Sequence, residues 1–267
     1  MSRNHLGRCA ALLCCALLCG APVARAADAK DAEQVLSCMR ANSSSALRTQ
    51  KITMDVRERG IPVRSLAGWL YTMRDHAGLL RVNLRITEPE ALAGGAYLIN
   101  QTADAPRGGM YVYLPSVGRV RKLSGSVADG ALMGTQFSYV EFKQLQSAFG
   151  DLHATLETPE DIEGRRVEVL SFRGFDSSQS RYSGARAWID QQSCVPLKAD
   201  FMAGTKVLKR MIAPASSIRR DGAVYYVQQL QMRDLENDAL TELRSEKGST
   251  RSTAAKLFDP ETFYTAN

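Results

Sequence analysis

The apolar positions of this chain follow two different periods. Between Asp28 and Arg40 they recur every three or four residues, which predicts an amphipathic first helix. From residue 52 to 100, and again from residue 166 to 246, apolar and polar residues alternate as they do in strands. Turns that contain Gly, Asp or Ser separate these runs. The pattern predicts roughly a dozen strands with two or three helices.

Helices do not alternate with these strands, so the pattern argues against a parallel sheet and favours an antiparallel sheet that is covered on one face. Open twisted sheets rarely exceed about 10 strands without curling. A sheet that curls but stays open leaves a cavity, which helices cover only in part. We therefore predict a mainly β fold, in which a strongly curved antiparallel sheet forms an unclosed half-barrel with helices over the concave cavity.

Residues 110–142 contain the densest set of signals in the chain. A strand of alternating apolar residues ends at Pro115. A second extended run follows and carries three basic side chains, at Arg119, Arg121 and Lys122. The loop after it is punctuated by three glycines, Gly125, Gly130 and Gly134. Ser138 and Glu141 then form an S-x-x-E capping box, which predicts that a helix begins at this point.

This segment resembles the periplasmic outer-membrane lipoprotein-sorting proteins, the LolA/LolB-like carriers. The resemblance is to a branch with a YLP, basic-strand, Gly-rich-loop and M-G-x-x-F-S-Y pattern. The residues that match are Tyr113, Leu114, Pro115, Arg119, Arg121, Lys122, Met133, Gly134, Phe137, Ser138 and Tyr139. A weaker resemblance extends over most of the chain. It implies a LolA-like unclosed barrel with a helical lid that shields lipid or acylated protein, and it implies RND-type, MMPL-like membrane exporters as partners.

The first 26 residues read as a secretory signal. Basic residues precede an apolar run from residue 9 to 19, and Ala24, Arg25 and Ala26 supply the small-x-small cleavage pattern. We expect residues 1–26 to be removed and residues 27–267 to form a single LolA-like domain in the periplasm. Loss of the three arginines in the signal lowers the formal net charge from +6 to +3. That charge is too weak to predict nucleic-acid binding.

Four of the six cysteines leave with the signal, and Cys38 and Cys194 remain. Two cysteines in an exported chain predict one disulfide, and two independent buried thiols are the alternative. His76 and His153 have no second histidine or cysteine pair at ligand spacing, so we expect no metal site. No motif for nucleophilic catalysis or for a phosphate or dinucleotide cofactor occurs after the signal. The sequence therefore predicts a protein that is not an enzyme and has no cofactor.

Removal from water stabilises an acyl chain by about 0.8 kcal/mol per methylene, so the cargo of such a carrier needs a deep apolar cavity. The candidate lining residues are the inward alternates of the first strands, with aromatic and helix residues as rim or lid: Ile52, Met54, Val56, Trp69, Tyr71, Leu80, Val82, Leu84, Ile86, Tyr97, Phe142, Leu145 and Phe149. The alternative for each one is that it simply fills the core.

Two further features each have two interpretations. The basic strand with Arg119, Arg121 and Lys122 can form a rim that binds lipid phosphates or an acidic partner, or it can protect a sheet edge from aggregation. The loop with Gly125, Gly130 and Gly134 can be a mobile flap over the cavity, or its glycines can simply permit positive φ angles.

Our first hypothesis is a periplasmic carrier or chaperone, acting as a monomer, that ferries a lipid or lipoprotein acyl chain towards the outer membrane. It would contact membranes or membrane proteins only peripherally. The alternative is a periplasmic sensor of the RseB-like type, which acts on a membrane signalling partner. The RseB-like resemblance implies an additional C-terminal domain, whereas after Glu246 we expect only a Ser/Thr-rich linker and a short helix start at Asp259, which favours the carrier.

Overall fold

A computed structural model describes residues 28–104 and 109–265. The predicted signal peptide, residues 1–26, lies outside them. The helices are α1 (Asp28–Ala41), α2 (Tyr139–Gln146) and α3 (Ala254–Phe258). The strands are β1 (Arg48–Glu58), β2 (Ile61–Arg74), β3 (Leu80–Glu88), β4 (Ala96–Asn100), β5 (Met110–Leu114), β6 (Arg119–Lys122), β7 (His153–Leu156), β8 (Glu160–Ile162), β9 (Arg165–Arg173), β10 (Gly184–Asp190), β11 (Pro196–Ala203), β12 (Lys206–Ile212), β13 (Ile218–Asp221), β14 (Val224–Val227), β15 (Gln229–Asp234) and β16 (Ala239–Lys247). None of the helices in these ranges is long and apolar enough to cross a membrane.

Fourteen of the strands form one antiparallel sheet. Its order is β6-β5-β4-β3-β2-β1-β16-β15-β12-β11-β10-β9-β7, with β8 also paired to β9, while β13 and β14 form a separate hairpin. The strands β6 and β7 stand at opposite ends of this order, and the sheet is not closed. The predicted fold class, an unclosed half-barrel with helices over one face, is confirmed.

The pairing of β1 with β16 joins the two halves of the chain. The ladder runs through nine consecutive residue pairs, from Gln50 opposite Lys247 to Glu58 opposite Ala239. The strands that follow β1 extend the sheet on one side as a meander, and those that precede β16 extend it on the other. The hairpin β13–β14 interrupts this second half between β12 and β15.

The structure contains more strands than the period predicts. The short strands β7, β8 and β13 were not predicted, because three or four residues are too few to show an alternating pattern. The predicted strand over residues 223–233 is in fact two strands. Its first half, β14, pairs with β13, whereas its second half, β15, joins the main sheet. The last helix, α3, begins after its N-cap Thr253 and ends before Asp259, where the sequence placed a helix start.

Alternation along the strands separates two apolar faces. On the inner face, Ile52, Met54, Val82 and Leu84 are at most 1% exposed and belong to the main core under α1 and α2. Residues one position away point to the outer face. Trp69 and Tyr71 lie there in a second cluster with Leu98. Both faces of the second half of β2 are therefore covered, which explains why residues 66–73 are apolar on both sides.

The C-terminal segment covers this outer cluster. Leu257 and Phe263 are fully buried against it, and the rings of Tyr113 and Tyr264 stack with centroids 4.0 Å apart. The side chain of Asn83, buried on β3, donates hydrogen bonds to the backbone oxygens of Leu257 at 2.7 Å and Phe263 at 3.0 Å. One buried amide thus fixes both ends of the segment to the sheet.

We expect Asn83→Ala to destabilise the fold by about 3 kcal/mol, because it leaves two buried carbonyl oxygens without a donor. The free energy of unfolding in urea, followed by circular dichroism, measures this. Asn237→Ala is the control, because Asn237 is exposed in the β15–β16 turn and its side-chain amide donates one hydrogen bond, to Asp234 at 2.9 Å, and it should change the stability by only about 1 kcal/mol. Equal effects of the two substitutions would contradict the role assigned to Asn83.

Candidate ligand-binding cavity

A mostly apolar cavity with a volume of about 180 Å³ lies on the inner face of the sheet. One wall comes from α2 and includes Phe142 and Leu145. The sheet supplies the opposite side with inward residues of its central strands. The end of α1 and the hairpin β13–β14 complete the mouth. The lining from the sheet and the hairpin includes Arg48, Gln50, Leu70, Thr72, Leu80, Met211, Tyr225, Tyr226, Val227, Leu230, Leu243 and Ser245.

The structure divides the predicted cavity residues into three groups. Leu80, Phe142 and Leu145 line the cavity. Eight others are buried in the core beside it and do not reach the cavity surface: Ile52, Met54, Val56, Val82, Leu84, Ile86, Tyr97 and Phe149. Trp69 and Tyr71 lie on the outer face, against the C-terminal segment. Trp69 and Tyr71 flank Leu70, which lines the cavity, in the same strand. Because successive side chains of a strand point to opposite faces, Trp69 and Tyr71 point away from the cavity.

Several lining residues were missed at the level of sequence. Arg48 and Gln50 lie on the same face of β1 as Ile52 and Met54. Extending the period-2 pattern by four residues towards the N-terminus of the strand predicts both of them. The lining residues of the hairpin, such as Tyr226, carry no such signal. Their position depends on where the hairpin folds back over the sheet.

Helix α2 begins with the predicted capping box. The backbone amide of Ser138 donates to the Glu141 carboxylate at 2.7 Å, and the amide of Glu141 donates to the Ser138 hydroxyl at 3.1 Å. Both residues are buried. The box satisfies two amides that the first turn of a helix leaves without a helical partner. It also fixes the carboxylate of Glu141 beneath the helix.

Glu141 connects α2 to the rest of the fold. Its carboxylate lies 3.2 Å from the ammonium of Lys209 on β12, and the hydroxyl of Tyr182 donates a hydrogen bond to it. Burial, together with the neighbouring Glu141 charge, raises the pKa of Tyr182, so this phenol stays protonated as a donor. Lys209 also donates to the backbone oxygen of Gln136 at 2.8 Å. The network holds the cavity wall formed by α2 at a set distance from the sheet.

The glycine-rich loop is packed against the body of the protein. It contains two short 3₁₀ helices, Gly125–Asp129 and Leu132–Gly134, and it buries Ala128 and Leu132. Gly134 has φ +75°, a conformation that favours glycine, and a Cβ there would overlap the guanidinium of Arg64. Mobility of the loop that contains Gly125, Gly130 and Gly134 stays a prediction.

The basic strand is β6, at the free edge of the sheet. Arg119, Arg121 and Lys122 are exposed there, and none of them lies within 4 Å of a carboxylate in the described ranges. They do not line the cavity. Arg119 and Arg121 share a face with Leu123, which is buried in the inner core. The two arginines thus lie on the inner side of the sheet, at its edge.

The predicted disulfide between Cys38 and Cys194 is confirmed, with the Cα atoms 5.7 Å apart. It joins α1 to the turn between β10 and β11, and the residues beside it, Met39 and Val195, line the cavity. Cys194 has φ +57°, and its amide donates to the backbone oxygen of Asp190 at 2.8 Å. The disulfide therefore connects two parts of the cavity wall that are far apart in sequence.

Asp190 organises this turn. Its carboxylate, almost fully buried, accepts hydrogen bonds from the amide of Ser193 at 2.8 Å and from two nitrogens of Arg165 at 2.6 and 2.9 Å. Burial opposes ionisation of this carboxyl, yet the hydrogen bonds from Arg165 and Ser193 hold the pKa of Asp190 below its usual value. The charged form of Asp190 thus stabilises the turn that presents Cys194.

Replacing both cysteines (Cys38→Ser with Cys194→Ser) should lower the free energy of unfolding by about 3–5 kcal/mol, because the disulfide closes a loop of 156 residues in the unfolded chain. Urea unfolding with and without a reductant measures the effect. The reductant should destabilise the unchanged protein and leave the double variant unaffected. A reductant effect of the same size on both proteins would contradict this prediction.

The stability that Asp190 contributes should depend on pH. Because its pKa is lower in the folded than in the unfolded protein, this stability is present above about pH 4 and is lost as the pH falls through the folded pKa. We expect Asp190→Asn to cost about 2 kcal/mol at pH 7, and the difference should shrink in the acid range. Urea unfolding of both proteins from pH 7 to pH 3 tests this. A constant difference across that range would contradict it.

Comparisons with known proteins give a consistent result for the fold. A family model whose description reads "-like: Uncharacterized protein" matches residues 81–264. None of the curated protein sequences matches the chain. A DUF1329 family protein from Desulfovibrio piger is 17% identical with a TM-score of 0.74, and the match covers 86% of this chain and 97% of that one.

Two further crystal structures have the same architecture. One is a putative outer membrane lipoprotein-sorting protein domain from Vibrio parahaemolyticus, with 17% identity, a TM-score of 0.71, and coverage of 82% of this chain and 92% of that chain. The other is a LolA superfamily protein from Nitrosomonas europaea, with 19% identity, a TM-score of 0.66, and coverage of 85% and 97%. At these identities the similarity shows a shared fold.

Proposed function

Because this chain has the fold of the LolA-like lipoprotein-sorting proteins, we propose that it is a periplasmic carrier that binds a lipid, or the acyl chain of a lipoprotein, in its inner cavity and ferries it towards the outer membrane. The observation that supports this most directly is the apolar cavity between α2 and the central strands. In this proposal residues 1–26 direct export, residues 27–267 form one domain, and the protein carries out no covalent chemistry.

The cavity explains how such a carrier would gain affinity. Each methylene removed from water contributes about 0.8 kcal/mol, and side chains such as Leu70, Leu230 and Leu243 offer an apolar surface for a chain. The volume of about 180 Å³ is smaller than the roughly 300–1,000 Å³ of ordinary ligand pockets. We therefore expect a long acyl chain to widen the cavity as it binds, or to extend out of its mouth.

The exposed edge strand supplies the second part of the proposal. A carrier must meet a donor and an acceptor, and the free edge strand of the sheet exposes three basic side chains, Arg119 and Arg121 on its inner side and Lys122 on its outer side. Acidic faces of a membrane exporter of the RND or MMPL type, or anionic lipid at the membrane, are complementary to it. The edge strand lies apart from the cavity, so partner binding and cargo binding are separable by mutation.

Filling the cavity should abolish cargo binding. Leu230→Trp adds bulk to a side chain that lines the cavity, and we expect it to weaken the binding of a fluorescent fatty acid by about tenfold or more. Leu235→Trp is the matched control, because Leu235 is exposed in the β15–β16 turn, outside the cavity. Unfolding curves of both variants report on the fold. If neither the unchanged protein nor either variant takes up the fatty acid, and native mass spectrometry of the protein from its own periplasm detects no lipid, the carrier proposal fails.

Delivery should depend on the basic edge. With lipid-loaded protein and anionic acceptor vesicles, we expect the Arg119→Ala, Arg121→Ala variant to transfer lipid about thirtyfold more slowly, since each of the two basic residues near an anionic surface contributes about 1 kcal/mol. A variant with alanine at Arg57 and Arg233, two exposed arginines of other strands, is the control. An unchanged transfer rate would mean that the basic strand only protects the sheet edge from aggregation. Binding without any transfer by the unchanged protein would favour the sensor over the carrier.

A further inference from the structure

Arg48, the first residue of β1, lies at the boundary between two different concave surfaces. It lines the apolar cavity, and it also lines a polar groove of about 440 Å³ on the other side of the mouth. The groove is formed by the start of β1, the turn of the β13–β14 hairpin and the residues that follow β16, and its other lining side chains include Thr49, Lys247, Ser249 and Thr250. An apolar space and a hydroxyl-rich, basic space therefore meet at one guanidinium.

The charge of Arg48 is only partly compensated. Its guanidinium lies 3.8 Å from the centroid of the Tyr226 ring, and no carboxylate of the described residues lies within 4 Å of it. Asp221, which faces the same groove, pairs at 2.8 Å with Lys247. Burial lowers the pKa of Arg48, while Tyr226 and Asp221 act in the opposite direction. The groove thus holds two cations against one carboxylate, with one of the cations half-buried.

The side chains around Arg48 on the inner face are also polar. Thr72 stands opposite Arg48 in the β1–β2 ladder, and Gln50 donates to the hydroxyl of Ser245 at 3.1 Å. All of these residues line the cavity. They form a polar part of the lining beside Arg48, and Leu70, Met211 and Leu243 provide apolar surface in the same cavity. Because the basic groove also begins at Arg48, this arrangement matches an amphiphile whose hydrocarbon chain lies in the cavity and whose charged end lies in the groove.

We infer that the cargo carries an anionic headgroup, a carboxylate or a phosphate, which binds Arg48 in the polar groove while its hydrocarbon chain occupies the cavity. This inference rests on the proposed carrier function and specifies the class of cargo. A guanidinium matches both anions, since its planar fork presents parallel N–H donors to two oxygens. A half-buried position makes these hydrogen bonds stronger than they would be in open water.

Three ligands with the same sixteen-carbon chain test the inference: palmitate, palmitoyl lysophosphatidate and the uncharged monopalmitoylglycerol. Each displaces a fluorescent fatty-acid probe from the purified protein at pH 7.5. We expect at least one of the two anions to bind the unchanged protein about tenfold or more tightly than the neutral ligand. The tighter of the two anions identifies the headgroup as carboxylate or phosphate.

Variants at Arg48 separate charge from shape. Arg48→Gln should remove the preference for the anion and leave binding of the neutral ligand within about twofold, and Arg48→Lys should restore part of the preference. Arg57→Gln, an exposed arginine near the other end of the same strand, is the control and should change nothing. The urea midpoint and the intact disulfide of each variant verify its fold.

The outcomes distinguish the two levels of the proposal. Equal binding of the anions and the neutral ligand by the unchanged protein would overturn the inference and leave the carrier function standing. This comparison needs no variant, so it decides the question even if Arg48→Gln does not fold. An anion preference that survives Arg48→Gln would also overturn it. Failure of all three ligands to bind would instead count against the carrier function itself.

Discussion

The ladder between β1 and β16 is the interaction on which the rest of the structure depends. It joins a meander built from the first half of the chain to a second set of strands built from the last half, through nine consecutive residue pairs. Without it there would be two separate sheets, each with an uncovered inner face. With it, the inward residues of both strands, including Gln50, Leu243 and Ser245, meet in the wall of one cavity.

A sheet of this width that stays open cannot fill its own inner face, so other elements must cover it. The protein uses different chemistry for each cover. Helix α2 is tied to the sheet by the buried Glu141–Lys209 pair and the hydroxyl of Tyr182. Helix α1 is tied by the disulfide between Cys38 and Cys194. Charge pairing and a covalent bond keep these covers in place, which leaves apolar surface between them available to a ligand.

The two faces of the sheet differ in how completely other elements cover them. On the outer face the C-terminal segment packs continuously over Tyr71 and Leu98, and Asn83 binds its backbone at two points. The outer face of β2 to β5 is therefore covered by residues of this chain. On the inner face the covers leave a gap near Leu70 and Leu230. The proposed binding function follows from this incomplete cover. In the same proposal Arg48, which lines both the cavity and the groove, orients the bound ligand.

The amino-acid sequence by itself determined the class of fold, the first helix, the capped start of α2 and the presence of two cysteines able to pair. Each of these depends on local periods or on residue types whose meaning is independent of distant parts of the chain. The position of the cavity was decided only in the tertiary structure. Alternation shows that Met54 and Leu70 face inward, but whether an inward residue meets another side chain or open space depends on where the helices and the β13–β14 hairpin lie. In the sequence Arg48 is an ordinary strand residue, because only the positions of β16 and the β13–β14 hairpin in the folded chain place it between the cavity and the groove.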